Sequence, residues 1–177
     1  MLDSAQIDII FSRAGVLQTG HFVLASGRHS DKYMQCARLF QYPEYSEALC
    51  RALAEKFASE KVDVVIGPAL GAIQMAYEVS RHLGCRNLFA ERTDGKMALR
   101  RTFEIAPGER VLVVEDTVTT GGSVKEVVAL VNEAGGAVIG VGCIVDRSGG
   151  TVDFGVPLSS VLKLAITSWE PEECPLC

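Results

Sequence analysis

The sequence is poor in the features that would send a chain into a membrane or onto a nucleic acid. Its longer apolar runs, such as VDVVIGPALGAIQMA, are broken by charge, Gly or Pro well short of the roughly 20 residues that span a bilayer. No transmembrane helix is expected. The opening MLDSAQIDIIFSRAG holds Asp3 and Asp8 and has no basic start ahead of an apolar core, so it does not read as a signal peptide, and a cytoplasmic protein is expected. Basic residues are the minority, 17 Lys and Arg against 22 Asp and Glu for a net charge of −5. A nucleic-acid backbone is bound by clustered cations, so any phosphate here must be met locally. Neither G-x-x-x-x-G-K-[ST] nor G-x-G-x-x-G occurs, which removes two common nucleotide cradles. Internal repeats, low-complexity tracts and linkers are also missing.

What remains is 177 residues with 48% hydrophobic and 22% charged content, the balance of one soluble globular domain spanning 1–177. Helical spacing of apolar residues predicts helices over Ser4–Ala14, after Pro43 (Tyr45, Leu49, Ala52, Leu53, Phe57), over 71–83 (Ile73, Ala76, Tyr77, Ser80, Leu83) and through Val124–Val131. Strands are expected at Val62–Gly67, weakly at Asn87–Ala90, at Val111–Glu115, at Ala137–Val145 and near Ser160–Leu164. The stretch from His21 to Phe40 reads as irregular. Alternation of strand and helix implies an α/β fold, a mainly parallel twisted sheet flanked by helices. Ligands bind such sheets beyond the carboxyl ends of the strands, where the turns at 67–72, 115–122 and 146–150 would gather on one rim.

The most informative stretch on that rim is VLVVEDTVTTGGS, Val111 to Ser123. Unpaired backbone N–H groups of a Thr/Gly turn at a helix N-terminus, with the helix dipole behind them, suit a phosphate monoester. Glu115 and Asp116 suit the hydroxyls of a sugar attached to that phosphate, and they can face positive charge developing at its anomeric carbon. By themselves two acids could equally cap the following helix or hold a stray cation.

Four apolar residues, two acids and a Thr/Gly loop resemble the signature of the type I phosphoribosyltransferases. The resemblance implies 5-phosphoribosyl 1-diphosphate (PRPP) as donor, Mg²⁺ held mainly by the PRPP, Glu115 and Asp116 on the ribose, and Asp116, Thr117, Val118, Thr119, Thr120, Gly121, Gly122 and Ser123 around the 5′-phosphate. FVLASGRHSDKYMQCARL, IGPALGAIQMA and VDR at Val145–Arg147 resemble segments of the orotate-using branch, a match over most of the chain. It implies orotate at Ser26, Gly27, Lys32, Thr119 and Arg147, with Tyr33 nearby, and diphosphate at Pro68, Ala69, Gly71, Ala72, Arg92, Lys96 and Arg100. Residues 1–40 would contribute an N-terminal hood over the acceptor. Glu115, Asp116, Lys96 and Arg92 are the implied catalytic groups. A homodimer is also implied, with the 91–104 loop shared across the interface. The alternatives are a purine-base phosphoribosyltransferase and a non-catalytic PRPP-sensing regulator.

Three positions depart from the family pattern. Ala25 stands where a lysine is common, Ala72 stands where a second glycine is common, and ERTDGKMALRRTFE replaces a lid that often carries a histidine; Arg100 and Arg101 are candidate substitutes there. In a chain not expected to be exported, the six cysteines (36, 50, 85, 143, 174, 177) read as free thiols. Cys174 and Cys177 form a C-x-x-C pair, half of a zinc site that Cys143 or His21 could complete, and read first as a plain thiol tail. His29 is expected near substrate, and Trp169 is expected to pack the tail onto the domain.

Overall fold

The computed structural model describes residues 2–24 and 26–177; the Ala25 departure lies outside them. Helix α1 spans Ser4–Ala14 and starts at a capping box, with Asp3 accepting from the Gln6 amide while the Gln6 side chain accepts from the Asp3 amide; it ends at Gly15 in the left-handed region. The stretch expected to be irregular is instead an antiparallel hairpin, β1 (Leu17–Val23) and β2 (His29–Met34), followed by a 3-10 segment at Cys36–Gln41. Its weak apolar alternation hid it, because the hairpin is exposed along most of β1.

The rest follows the α/β expectation. In chain order come α2 (Pro43–Ala54), β3 (Val64–Pro68), α3 (Ile73–Leu83), β4 (Arg86–Thr93), β5 (Lys96–Leu99), β6 (Arg110–Val118), α4 (Gly122–Glu133), β7 (Ala137–Asp146) and β8 (Leu158–Lys163). The six-stranded sheet runs β5-β4-β3-β6-β7-β8. Every neighbouring pair is parallel except β4 and β5. Alternate residues of the central strands fill two cores. Val65, Leu112, Val114 and Ile144 pack with α1, α2 and α3 on one face, and Val64, Ile66, Val111, Val113 and Cys143 pack with α4 on the other. This two-sided burial is why β3 and β6 read as continuous apolar runs.

Two expectations on single elements are corrected. Tyr77, assigned to the inner stripe of α3, is 59% exposed, and Met75 and Val79 are buried instead. The charged 91–104 segment is largely ordered: β4 runs on past Ala90 and turns back into β5. Asp94 and Gly95 both take positive φ, 50° and 81°, and Thr93 faces Lys96, the two-residue turn that Asp-Gly favours.

Candidate active site

The parallel strands β3, β6 and β7 bring their carboxyl ends, and the turns that follow, to one rim. After β3, Pro68 is buried and Ala69, Leu70 and Gly71 rise towards solvent before Ala72 enters α3. The peptide between Ala69 and Leu70 is cis. Gly67 has no room for a side chain, since a Cβ there would lie 2.7 Å from the Ala72 Cβ and 3.0 Å from the Val114 carbonyl oxygen. The same turn reaches across to the acids of β6, because a Cβ on Gly71 would stand 3.6 Å from Asp116 Oδ2. No side chain caps α3, which leaves its positive end facing the turn.

After β6 the chain makes the Thr/Gly loop. Gly121 sits at the head of α4 with φ 74°, and no side chain caps that helix either. A Cβ on Gly121 would lie 2.8 Å from the Phe154 ring and from Val152, so this glycine is required by both its backbone angle and the floor beneath it. A cavity of about 350 Å³ opens over the loop, lined by Glu115, Thr117, Thr119, Thr120, Gly121, Gly122, Ser123, Val124 and Glu126. Of the expected 5′-phosphate residues Val118 and Gly121 are buried, and Val118, whose side chain joins the core, can serve through its backbone alone.

Glu115 and Asp116 are half-buried side by side. The Asp116 amide donates to Glu115 Oε1 at 3.2 Å. Burial, and then the Asp116 charge beside it, pushes the Glu115 carboxyl up to about 8. Burial also raises the Asp116 carboxyl, against hydrogen bonds from Thr117. Two acids in one partly desolvated place are costly to ionise together, so the pair is built to receive positive charge. Two adjacent carboxylates are an oxygen donor set that would suit a divalent cation such as Mg²⁺, which takes oxygen ligands and few protein groups.

The turn after β7 holds Arg147. Asp146 Oδ1 accepts from the Ser148 amide at 2.9 Å and from the Ser148 hydroxyl at 2.6 Å, and the Arg147 amide donates to the Val118 carbonyl at 2.8 Å. The half-buried Arg147 has a buried Nε without a hydrogen-bond partner, and burial lowers its guanidinium pKa. A buried donor of this kind is costly to leave unpaired. Asp146 and Ser148 were missed as positioning residues; the signal was an Asx turn, D-x-S, directly after a strand. Cys36, whose thiol donates to the Asp116 carbonyl at 3.7 Å, is pushed up to about 12 by burial. It is a core thiol, as are Cys50 and Cys143.

The expected acceptor residues Ser26 and Gly27 are exposed at the tip between β1 and β2, with Lys32 half-buried on β2. The expected lid cations divide into two sets. Arg92 forms a two-pronged pair with Glu126 of α4 at 2.9 and 2.8 Å, and Arg101 pairs with Glu91 at 2.9 and 3.0 Å and lies over the Phe89 ring. Lys96 and Arg100 are exposed. Glu126, missed in the sequence because it looks like any solvated helix acid, both lines the cavity and holds Arg92. His29 faces His21 and the tail.

A Thr/Gly loop at a helix N-terminus, two acids with raised affinity for protons, and a facing strand-to-helix turn are the arrangement expected of a phosphoribosyltransferase. A model of the phosphoribosyl transferase domain matches residues 37–170. Orotate phosphoribosyltransferase of Caldanaerobacter subterraneus subsp. tengcongensis is 64% identical over 168 residues, 95% of this chain and 88% of that protein. The protein of the same name from Thermoanaerobacter sp. (strain X514) is 59% identical over 176 residues, 99% and 93% of the two chains. The crystal structure of orotate phosphoribosyltransferase from Aeropyrum pernix superposes with TM-score 0.77 at 26% identity, covering 89% of this chain and 93% of that one. The chain belongs to the orotate phosphoribosyltransferase family.

Proposed function

We infer that the chain transfers the 5-phosphoribosyl group of PRPP to orotate, giving orotidine 5′-monophosphate and diphosphate, a step of pyrimidine-nucleotide biosynthesis. The carrying observation is the meeting of the Thr/Gly loop and the raised Glu115–Asp116 pair in one cleft. Backbone amides and threonine hydroxyls of 117–123 hold the 5′-phosphate, and the two carboxylates accept from the ribose hydroxyls. As the bond from C1′ to the diphosphate oxygen stretches, the sugar gains cationic character, which the two acids stabilise from fixed positions. Orotate, its N1 proton given up to solvent, then forms the new bond from N1 to C1′, and the diphosphate leaves with the electron pair of the broken one. Mg²⁺, held mainly by PRPP with Glu115 and Asp116 nearby, would supply positive charge that offsets the charge gathering on the leaving diphosphate. The Pro68–Ala72 turn, Arg92, Lys96 and Arg100 hold the departing anion, and a closing lid keeps water from the sugar.

Arg147 favours orotate over a purine. Its unpaired donor calls for an anion, and a guanidinium grips a carboxylate through two parallel hydrogen bonds. Steady-state assays with PRPP, Mg²⁺ and either orotate or adenine, hypoxanthine or xanthine test the reading. Turnover of orotate is expected, and turnover confined to purines would overturn it, as would tight PRPP binding with no turnover of any base.

The homodimer and a cytoplasmic location belong to the same reading. A cavity of about 370 Å³ between α2, α3 and β4 is lined by Phe40, Pro43, Ile73, Tyr77 and Phe89 among others, and Tyr77 and Leu70 stand exposed, the latter at 84%. A second copy covering this apolar face would bring the adjoining lid towards the other cleft. Among the described residues no helix is long and apolar enough to cross a membrane, which supports the location. Sedimentation of wild type and Tyr77→Arg would test the interface, with a monomeric variant expected.

A further inference from the structure

Beyond the catalytic cleft, four metal-binding side chains from opposite ends of the chain meet at one point. His21 comes from β1, His29 from β2, and Cys174 and Cys177 from the tail; one ligand atom from each lies within 4.8 Å of all the others. His21 Nε2 stands 3.0 Å from His29 Nδ1, 3.5 Å from Cys174 Sγ and 3.6 Å from Cys177 Sγ. His29 Nδ1 stands 3.1 Å from Cys177 Sγ. We propose that His21, His29, Cys174 and Cys177 are the four ligands of a structural zinc ion that clasps the C-terminal tail onto the β1–β2 hairpin.

Hydrogen bonding does not account for the cluster. Each imidazole nitrogen carries one in-plane site, either a proton or a lone pair, yet His21 Nε2 has three partners and His29 Nδ1 has two. A cation at the centre uses one lone pair from every atom at once. The spacings also fit: metal–nitrogen bonds of about 2.0 Å and metal–sulfur bonds of about 2.3 Å in a tetrahedron separate ligand atoms by roughly 3.3–3.8 Å, near the 3.0–3.6 Å seen. Two thiolates and two imidazoles select zinc over the oxygen-seeking Mg²⁺ and Ca²⁺. Four protein ligands close the shell, which marks a structural site rather than a catalytic one.

The surrounding backbone prepares each ligand. Counted from the Val23–His29 pair, His21 shares a face with His29, and it lies in the β-bulge between Thr19 and Phe22, the kind of irregularity that re-aims a side chain. The Cys177 amide donates to the Cys174 carbonyl at 3.3 Å, closing the turn between the two thiols. The tail reaches them by pairing with β2: His29 and Trp169 exchange backbone hydrogen bonds of 2.9 Å in both directions, Ser30 Oγ donates to the Thr167 carbonyl at 2.8 Å, and Arg28 donates to Ser168 and pairs with Glu170. Cys143, the other candidate ligand suggested by composition, is buried inside the sheet on β7; His21 is the one at hand.

The test uses the full-length protein with Zn²⁺ and Co²⁺ as probes. After removal of metal under reducing conditions, titration is expected to saturate at one Zn²⁺ per chain. Co²⁺ is expected to give the intense visible bands of a tetrahedral centre and a near-ultraviolet thiolate-to-metal transition. Losing a mere outer-shell partner of a metal typically costs 10–100-fold in affinity, so Cys177→Ser and His21→Asn should each weaken binding by more than about 100-fold, while Cys85→Ser should not. Zn²⁺ should also slow amide hydrogen exchange in 17–34 and 165–177 and leave β3, β6 and β7 unchanged. A pale octahedral Co²⁺ spectrum, binding unaffected by Cys177→Ser, or a Cys174–Cys177 disulfide in protein purified without oxygen would overturn the proposal. None of these readouts depends on orotate turnover, so a failed zinc site and a failed catalytic reading are told apart.

Discussion

The donor side of the cleft and the acceptor side are built by different means. The donor side is written in contiguous sequence: a buried strand delivers two acids, a Thr/Gly loop follows, and the N-terminus of α4 stands behind it. The core on both faces of the sheet fixes this geometry. The proposed acceptor side is a hairpin whose β1 is largely exposed and whose β2 is mostly half-buried or buried, held by contacts with a tail some 140 residues away. On the proposed reading, local segments specify donor recognition, whereas acceptor recognition depends on the tail contacts. The two sides should fail separately when perturbed.

The largest effect is expected from Asp116→Asn. The side chain keeps its shape and loses the charge that stabilises the cationic sugar, so kcat should fall by about 100-fold or more, the scale found when one preorganised electrostatic group is removed. Because burial makes that charge costly to hold, the variant should melt no lower than wild type. A melting temperature several degrees lower would turn Asp116 into a structural residue.

Arg147→Ala comes next and bears on the acceptor side alone. A hydrogen bond to a charged group is worth about 1.5–3 kcal/mol, roughly 10- to 150-fold in affinity. The KM for orotate should rise by that factor with the KM for PRPP nearly unchanged. Equal losses in both would erase the division between the two sides.

Acidity separates the sides again. With its carboxyl raised to about 8, Glu115 is mainly protonated at neutral pH in the free protein and must ionise to serve the ribose. In the free enzyme, kcat/KM for PRPP should therefore climb up to tenfold per pH unit and level off above about 8. The sign for stability is opposite. The folded state binds this proton more tightly than the unfolded chain, whose carboxyl sits near 4.5, so the contribution of Glu115 to stability falls as pH rises from about 4.5 to 8. Glu115→Gln should flatten both profiles, as melting curves and initial rates across that range would show.

How much of this was legible follows the same division. The cleft could be read from Val111–Ser123 because a strand buried on both faces, paired acids and turn residues each leave a local pattern. The hairpin was missed because β1 exposes most of its residues, and the proposed clasp was seen only in part: His21 was named beside C-x-x-C but ranked behind a plain thiol tail, and His29 was not linked to it, because H-x₇-H and C-x-x-C have no sequence relation to each other. Tyr77 was placed inward by spacing alone, and the structure leaves it 59% exposed. The Asp-Gly turn between β4 and β5 was readable but was masked by the charges around it.

A smaller effect is expected at the hairpin, where stripping Zn²⁺ should raise the KM for orotate a few-fold and leave that for PRPP unchanged, if the clasp holds Ser26, Gly27 and Lys32 in place.

The smallest effect concerns a residue that belongs to both the cavity and the lid. Glu126 lines the donor cavity while holding Arg92 through two hydrogen bonds, and its carboxyl is lowered by that partner. An exposed pair of this kind adds little to folding, yet it competes with an incoming anion for the guanidinium. Glu126→Gln would release Arg92 and remove a negative charge beside the phosphate loop. Both changes favour PRPP, so its KM should fall a few-fold, with the melting temperature nearly unchanged. Arg92→Ala should cancel the gain when combined with Glu126→Gln. If Glu126→Gln still lowered the KM for PRPP in the Arg92→Ala background, the acid would be acting on the phosphate directly, and the ion pair would be only a surface contact between β4 and α4.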